Sequence, residues 1–252
     1  MKFSQKMIEK ILSAKHIVVF TGAGVSQESG IPTFRDALTG LWKHFDAERL
    51  ATPQAFSRDP DLVWGWYEWR RAIVMRCQPN PAHIFIAQLS GIVPKFTLIT
   101  QNVDDLHERA GNQNVIHLHG SLFRARCQRC SIQHPLPAQP VDDEIKEERI
   151  APPTCEQCGG RVRPDIVWFG EALPDDEWNR ATGAASSCDV FFCIGTSSLV
   201  YPAASLPYHA ADRGACLIQV NPVATDLDRM ACYVLKGKAG EVLGALSKKL
   251  IK

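Results

Sequence analysis

Four cysteines have the spacing of a metal-binding site. They form two pairs, Cys127-x-x-Cys130 and Cys155-x-x-Cys158, with 24 residues between the pairs. A gap of two residues lets both sulfurs of a pair face one ion, and a second pair completes a tetrahedron around it. Four thiolates leave no open coordination position, so the spacing predicts one structural Zn²⁺ ion. Two redox-active pairs or idle thiols are the alternative.

Two histidines, His117 and His119, precede Gly120 with one residue between them. An imidazole titrates close to physiological pH and can therefore accept a proton from a hydroxyl group as a general base. Alternate residues of a strand share a face, so both side chains point the same way unless the strand ends between them. For His117 we favour the ordinary interpretation, a hydrogen-bonded strand histidine.

A glycine turn follows the first apolar segment of the chain. Gly22 and Gly24 would let the backbone approach a diphosphate in front of a helix. The dinucleotide fingerprint has a third glycine where this chain has Gln27, so a merely tight strand-to-helix turn is equally consistent with the motif. Residues 29–36 add glycine, proline, an aromatic residue and an arginine, a composition that indicates a loop closing over a ligand.

Five short apolar segments are predicted to be the strands that position these residues: 17–20, 96–100, 115–118, 190–194 and 216–220. Continuous apolar runs of this length are typical of strands that are buried on both faces, which predicts a parallel sheet between helices. Most of these runs end in a polar or glycine-containing turn, and the carboxyl ends of parallel strands meet at one edge. We therefore expect the site at that edge, with helices at 2–14, within 42–77 and at 241–252.

Composition narrows the class of protein. The chain has 252 residues, a net charge of +1, 45% hydrophobic and 22% charged residues, which excludes a disordered chain. The near-neutral charge argues against a main function in binding nucleic acid. No segment approaches the roughly 20 apolar residues that cross a bilayer, and the lysine-containing start does not look like a signal peptide. We expect a cytoplasmic protein, with its five other cysteines acting as small buried hydrophobic residues.

Together these motifs resemble the sirtuin family. The resemblance runs from residue 17 to about residue 240 and rests on the four cysteines and on segments that occur in the same order, namely 22–26, 30–35, 100–104, 117–120, 169–171, 195–197 and 221–222. It implies an α/β fold in which residues 1–36, 78–126 and 161–252 form a Rossmann-type NAD-binding domain. Residues 37–77 and 127–160 would form a smaller domain with a helical part and a zinc-binding part.

The resemblance also implies a reaction. NAD is consumed as a co-substrate: the acyl oxygen of a modified protein lysine displaces nicotinamide, and a ribose hydroxyl then attacks the resulting imidate. Water then completes the reaction and releases lysine and O-acyl-ADP-ribose. His119 matches the catalytic base of the family, and Asn102 is the second catalytic candidate.

The other expected contacts also come from the resemblance. NAD would contact Gly22, Ala23, Gly24, Ser26, Ile31, Phe34, Arg35, Gln101, Asn102, Asp104, Gly195, Thr196, Ser197, Asn221, Pro222 and Ala239. Val167, Phe169 and Gly170 would pair with the backbone of the substrate peptide. For Asn102 and Asp104 the alternative is a helix cap, which these residue types often form after a strand.

Tyr67 and Arg70 are three residues apart and so lie on one face of a predicted helix. In class III sirtuins a Tyr-x-x-Arg pair at this place binds the terminal carboxylate of succinyl-lysine or malonyl-lysine. A guanidinium group suits a carboxylate because it donates two parallel hydrogen bonds, and a phenol adds a third. The alternative is an amphipathic helix with a solvated Arg70 and a packed Tyr67. Arg71 is expected on another face, at the surface.

The sequence thus predicts an enzyme that removes succinyl, malonyl and also acetyl groups from protein lysines, using NAD. One alternative is mono-ADP-ribosyl transfer to a protein on the same fold, which would need no acyl pocket. Another is a zinc-containing nucleic-acid module, against which the absence of a concentrated basic stripe argues.

Overall fold

The computed structural model describes residues 2–32, 46–136 and 149–251. Its strands are β1 (His16–Thr21), β2 (Lys95–Thr100), β3 (Ile116–His117), β4 (Gly120–Cys127), β5 (Gln133–His134), β6 (Val162–Ile166), β7 (Val190–Ile194), β8 (Cys216–Asn221) and β9 (Tyr233–Lys236). Its α-helices are α1 (Gln5–Leu12), α2 (Ala47–Leu50), α3 (Pro53–Arg58), α4 (Pro60–Arg76), α5 (Pro81–Ser90), α6 (Leu106–Arg109), α7 (Asp175–Ala185), α8 (Leu206–Asp212) and α9 (Ala239–Leu250).

Six strands form the main sheet in the order β3-β2-β1-β7-β8-β9. Every neighbouring pair is parallel. In the central strand, Ile17 and Val19 pack into a core with residues of α1, α5 and α9. Val18 and Phe20 face the opposite core, with residues of α7 and α8. This burial on both faces explains the continuous apolar runs and confirms the predicted parallel sheet.

The sixth strand of this sheet, β9, has no counterpart in the prediction. It pairs with β8 at the edge of the sheet, and three of its four residues are only partly buried. An edge strand has one hydrogen-bonded neighbour and one open side, so it does not need an uninterrupted apolar run. Its sequence therefore lacked the signal that identified the other five.

The helices before β2 begin at strong capping residues. The side chains of Thr52, Asp59 and Asn80 accept a backbone N–H at the starts of α3, α4 and α5, and proline occupies an early position in each helix. These caps satisfy N–H groups that have no partner within the helix, and they fix where each helix starts. From its capped start, the 17-residue α4 runs past Phe56 and Trp168, and the side chains of Trp66 and Tyr67 pack with them in a third core.

A second sheet contains β5, β4 and β6, which are antiparallel. It carries the four paired cysteines at one end and packs against α4. Its strands extend to both sides of the predicted zinc-binding segment, from Gly120 to Ile166. The division of the chain into domains with the boundaries given above stays a prediction.

The burial of Arg71 differs from the prediction. Arg71 was expected at the surface, but it is 3% exposed and forms an ion pair with Glu68 one turn earlier on α4. Burial raises the pKa of Glu68, and Arg71 opposes this rise. The error arose because α4 is buried on more than one face, so that helical spacing alone did not identify a solvent-exposed side.

The five unpaired cysteines were expected to be buried, and this was only partly right. Cys188, Cys193 and Cys216 are buried, whereas Cys77 is half-buried and Cys232 is exposed. Cys232 directly precedes the edge strand β9, where one side of the sheet is open. Among the helices of the described residues, none combines the length and the apolar character that crossing a bilayer requires.

Candidate active site

The glycine turn after β1 touches the loop after β7. The Gly24 amide donates to the Gly195 carbonyl over 2.8 Å, and a Cβ atom on Gly24 would lie 2.8 Å from that same oxygen. Gly195 has a φ of +58°, and a Cβ there would lie 2.4 Å from the Val25 nitrogen. Both glycines are therefore needed for this close approach. The contact brings two of the predicted cofactor-binding segments together.

Thr196 connects three loops at the carboxyl edge of the sheet. Its hydroxyl accepts a hydrogen bond from the Gln101 side-chain amide over 2.9 Å. Its carbonyl accepts one from the Asn221 side-chain amide over 2.8 Å. The ends of β2, β7 and β8 thus meet as predicted. The side chains that connect them, those of Gln101, Thr196 and Asn221, are among the predicted NAD contacts.

Two threonines fix the start of the segment after β2. The Thr21 hydroxyl donates to the Thr100 hydroxyl over 2.8 Å, and the Thr100 oxygen also accepts the Asn102 amide over 3.0 Å. The imidazole of His107 lies behind them, with Nε2 3.0 Å from the Thr21 hydroxyl. Because this chain of contacts is buried, it holds Asn102 in a defined position next to the glycine turn.

Ser26 lies at the centre of a buried polar cluster. Its hydroxyl accepts from the Asn102 side-chain amide over 3.1 Å and donates to Asp104 over 3.0 Å. His83 Nε2 lies 3.4 Å from the same hydroxyl, while His83 Nδ1 accepts a hydrogen bond from the backbone N–H of Asn80. Burial lowers the pKa of His83 to about 4, so this ring is neutral. His83 was missed because it is 57 residues away from Ser26 along the chain, with no local motif around it.

Asp104 also has the contact that the capping alternative predicted. Its second carboxylate oxygen accepts the Leu106 amide over 3.1 Å, at the start of α6. Burial raises the pKa of Asp104, while the bonds from Leu106 and Ser26 lower it. One carboxylate oxygen thus accepts an amide at the start of α6 and the other orients Ser26, while contact of Asp104 with NAD stays a prediction.

His119 has a defined tautomer. Its Nδ1 lies 3.0 Å from the Gln101 carbonyl oxygen, which can only accept, so Nδ1 carries the proton and Nε2 keeps a lone pair. Burial lowers the pKa of His119, and the Gln101 carbonyl partly opposes this. At neutral pH the ring is therefore uncharged and able to accept a proton at Nε2.

His117 is the last residue of β3, so the strand ends between the two histidines. Its Nδ1 lies 3.2 Å from the Asn102 carbonyl, and its Nε2 lies 2.6 Å from the Glu108 carboxylate. Both ring nitrogens are occupied by protein partners. This confirms the interpretation of His117 as a hydrogen-bonded strand histidine.

Tyr67 and Arg70 project from α4 toward the same region. Tyr67 is 2% exposed, its hydroxyl oxygen accepts the Trp168 indole N–H over 2.8 Å, and burial raises its pKa to about 12. The Arg70 guanidinium lies 5.0 Å from the centre of the Trp66 ring. Burial lowers the pKa of Arg70, which interacts electrostatically with Tyr67 and Asp104. Arg70 itself is half-buried, and its role in binding an acyl carboxylate stays a prediction.

The predicted peptide-binding segment lies next to His119. The Val167 amide donates to the His119 carbonyl over 3.0 Å, and the Phe169 amide donates to the Ala51 carbonyl over 3.0 Å. Phe169 is 45% exposed, an unusual fraction for a phenylalanine beside a core, and Gly170 has a φ of +87°. The segment thus presents an exposed aromatic ring close to the candidate base.

The four cysteine sulfurs lie within 4.8 Å of one another. Cys127 and Cys158 are 3.4 Å apart at sulfur, and Cys130 and Cys155 are 3.7 Å apart. Tetrahedral zinc with Zn–S bonds of about 2.3 Å needs sulfurs about 3.8 Å apart. Backbone amides of residues 129 and 130 also point at the Cys127 sulfur, over 3.3 and 3.5 Å, and stabilise a thiolate there. The cluster therefore fits one structural zinc ion.

Comparison with known proteins decides the family. The sequence profile of the Sir2 family matches residues 22–202. The chain belongs to the Sir2 family. A Methylococcus capsulatus protein named NAD-dependent protein deacylase is 55% identical over 250 residues, which cover 99% of this chain and 98% of that relative.

Solved structures agree with this assignment. A Sir2 homologue in complex with NAD has a TM-score of 0.90 and 46% identity, over 99% of this chain and 94% of that one. A triple mutant of a Sir2 homologue in complex with 2'-O-acetyl ADP ribose has a TM-score of 0.89 and 45% identity, over 98% and 96% of the two chains. The sirtuin resemblance and the predicted fold class are confirmed.

The remaining predicted positions of this Sir2-family chain are distributed as follows. Ile31 is buried in the core of α3 and α4, and Ala23, Ser197 and Pro222 lie in the loops at the carboxyl edge of the sheet. Ala239 begins α9, where the next amide, that of Gly240, donates to the Glu28 carboxylate over 2.5 Å. Phe34 and Arg35 lie outside the described residues.

Proposed function

We propose that this Sir2-family protein is an NAD-dependent protein-lysine deacylase that removes succinyl and malonyl groups and also acetyl groups. The names of its relatives support the general activity, since they are called NAD-dependent protein deacylases at 45–55% identity. One observation carries the acyl preference. The half-buried guanidinium of Arg70 lies near the buried hydroxyl of Tyr67, and such a pair can offer charge-assisted and neutral hydrogen bonds to one carboxylate.

The residues around the glycine turn support NAD as the co-substrate. The contact between Gly24 and Gly195 brings the loops after β1 and β7 together where a diphosphate would bind, and Asn221 and Ala239 would lie toward the adenosine end. The cluster of Ser26, Asn102 and Asp104 would hold the nicotinamide end. When bound, NAD supplies an electrophilic ribose carbon, because nicotinamide is its leaving group. Phe34 and Arg35 complete the proposed contacts.

The protein's own groups would perform the proton transfer. His119 Nε2 accepts the proton of a ribose hydroxyl, and the Gln101 carbonyl stabilises the imidazolium that forms because it accepts the Nδ1 proton. The Asn102 side chain donates to Ser26 through Nδ2, which leaves its Oδ1 to accept from a bound group. Val167 and Gly170 would pair with the substrate backbone, beside Phe169. Such pairing recognises the backbone and would accept acylated lysines in many proteins.

Mono-ADP-ribosyl transfer is not favoured. ADP-ribosyl transfer would leave the Tyr67 and Arg70 pair without a substrate group to bind. The relatives are also named as deacylases, which favours deacylation.

Replacing Arg70 with methionine tests the acyl pocket. We expect kcat/KM to fall by about 100-fold on a succinyl-lysine peptide, because a desolvated charge-assisted contact is lost. On the acetyl-lysine peptide, which has no terminal carboxylate, the change should be within about 3-fold. Rates of lysine-peptide release, measured with and without NAD, give both numbers.

Arg58→Met is the matched control, since Arg58 is exposed at the end of α3 in the same helical region. It should leave both rates unchanged. Equal losses on the two peptides in Arg70→Met would make Arg70 a structural residue and remove the basis for a succinyl preference.

A further inference from the structure

Trp168 is held in place from several directions. It is 1% exposed, although it lies between Val167 and Phe169 of the proposed peptide-binding segment. The Arg163 guanidinium carbon is 3.3 Å from the centre of its ring, and the Phe56 ring packs against it with centroids 5.3 Å apart. Burial against two groups on different elements leaves the indole ring little freedom to rotate.

Glu171 strengthens this arrangement. One of its carboxylate oxygens accepts both the Trp168 amide and an Arg163 N–H, each over 2.9 Å. The other accepts a second Arg163 N–H over 2.6 Å. Arg163 also donates to the Ile166 carbonyl over 2.8 Å. Bidentate pairing of this kind fixes the plane of the guanidinium group, and that plane in turn fixes the indole beneath it.

The indole N–H points at Tyr67. The distance from Trp168 Nε1 to the Tyr67 oxygen is 2.8 Å, and both side chains are buried. An indole N–H can only donate, so the phenol must act as the acceptor in this bond. The proton of Tyr67 must then point elsewhere. Within the described parts of the chain, no acceptor lies within hydrogen-bond distance of that proton.

The planar geometry of the phenol limits where its proton can point. A phenol O–H prefers the plane of its ring, which offers two positions, and the incoming indole N–H occupies one side. Arg70 lies close enough to Tyr67 and to Asp104 to interact electrostatically with both. Because the phenol accepts from Trp168 on one side, its proton points to the other side, and a carboxylate bound between Arg70 and Tyr67 would accept it there.

We propose that Trp168 is a positioning residue for acyl specificity: its indole N–H orients the Tyr67 hydroxyl so that the phenol donates to the terminal carboxylate of the acyl group. This inference rests on the proposed preference for succinyl-lysine and malonyl-lysine. The inference adds a third residue to the Tyr-x-x-Arg pair. Trp168 lies 101 positions from Tyr67 along the chain and would act without touching the acyl group. Burial keeps the phenol protonated, so the donor is present throughout the working pH range.

The test is a cycle of three variants, Trp168→Phe, Tyr67→Phe and the double variant. Each is measured as the ratio of kcat/KM for succinyl-lysine to that for acetyl-lysine on one peptide. Phenylalanine keeps an aromatic ring under Arg163 but removes the N–H. Because one neutral hydrogen bond is lost, Trp168→Phe should lower the ratio by about 3- to 10-fold, mainly through KM for the succinyl peptide. In the Tyr67→Phe background the same change should leave the ratio unchanged, since there is no hydroxyl to orient.

Controls separate orientation from packing. Trp178→Phe makes the same truncation on α7, where the partly buried side chain packs against a core away from the site, and it should not change the ratio. Where Trp168→Phe fails to fold, judged by thermal denaturation, benzothienylalanine at position 168 preserves the ring shape without the N–H and should give the same loss. Equal losses on both peptides in that variant, or in Trp168→Phe, would overturn the inference and leave Trp168 a packing residue.

The outcomes also distinguish this inference from the proposed function. If Arg70→Met and Tyr67→Phe lower the ratio but Trp168→Phe does not, the inference fails and the acyl pocket stands. If the wild-type protein processes both peptides alike and Tyr67→Phe changes nothing, the proposed preference fails and the inference fails with it.

Discussion

Replacing His119 with alanine should lower kcat by about 10²- to 10⁴-fold on every acylated peptide, the usual contribution of a general base. The Nε2 lone pair of His119 would be lost, while the Gln101 carbonyl and the glycine turn that would hold NAD remain. We therefore expect NAD affinity, measured by calorimetric titration, to stay within about 3-fold of the wild type, because the residues proposed to bind the diphosphate, the adenosine and the nicotinamide all remain.

His209→Ala is the control for this experiment, since His209 is exposed on α8 and outside the site. It should leave turnover unchanged. Normal turnover in His119→Ala would move the base to another group, and His117 would then be tested first, although both of its ring nitrogens are occupied.

The pH dependence of the wild type gives a second readout of the same group. Burial lowers the pKa of His119 below its usual value of 6.5, and only the neutral ring can accept a proton. Activity should thus be retained above that pKa and lost as the pH falls through a value below 6.5. An acid limb of kcat/KM centred above 6.5 would contradict the assignment of His119 as the base.

Replacing Cys155 with serine should unfold the zinc-binding region. Structural zinc sites contribute about 10–16 kcal/mol of apparent binding free energy, as much as the 5–15 kcal/mol of stability typical of a whole domain. Cys155 is buried and contributes one of four ligands, so its loss should release the ion and lower the melting temperature. Metal content and thermal unfolding, each measured with and without a chelator, report both effects.

Cys232→Ser is the matched control, because Cys232 is an exposed cysteine outside the cluster. It should retain one zinc ion per chain and unfold normally. A Cys155→Ser protein with wild-type stability, or a chelated wild type that unfolds at its usual temperature, would show that the cluster has no structural metal.

The main sheet was predictable because the apolar pattern of each strand lies within one short segment of the sequence. Strands buried on both faces need continuous apolar residues, so β1, β2, β7 and β8 could be recognised one segment at a time. The four cysteines were recognisable for the same reason, since their spacing encodes the ligand geometry. The edge strand β9 is partly buried and gave no such signal.

The contacts that orient the site were not predictable from local pattern. Ser26 meets His83, and Tyr67 meets Trp168, across 57 and 101 residues of chain. Nothing in the spacing of either pair indicates a contact, which only the packing of α4 and α5 against the sheets brings about. The same applies to Arg71, whose burial depends on how α4 lies in the third core. The proposed roles of Phe34 and Arg35 stay predictions.

The most direct test of the central claim is the rate of lysine release from one peptide carrying either succinyl-lysine or acetyl-lysine, measured with and without NAD. The Tyr67 and Arg70 pocket predicts release that depends strictly on NAD, with a clear preference in kcat/KM for the succinyl peptide. Comparable rates on the two peptides would contradict the carboxylate pocket and leave a general deacylase. The absence of any NAD-dependent product from either peptide would contradict the deacylase function itself.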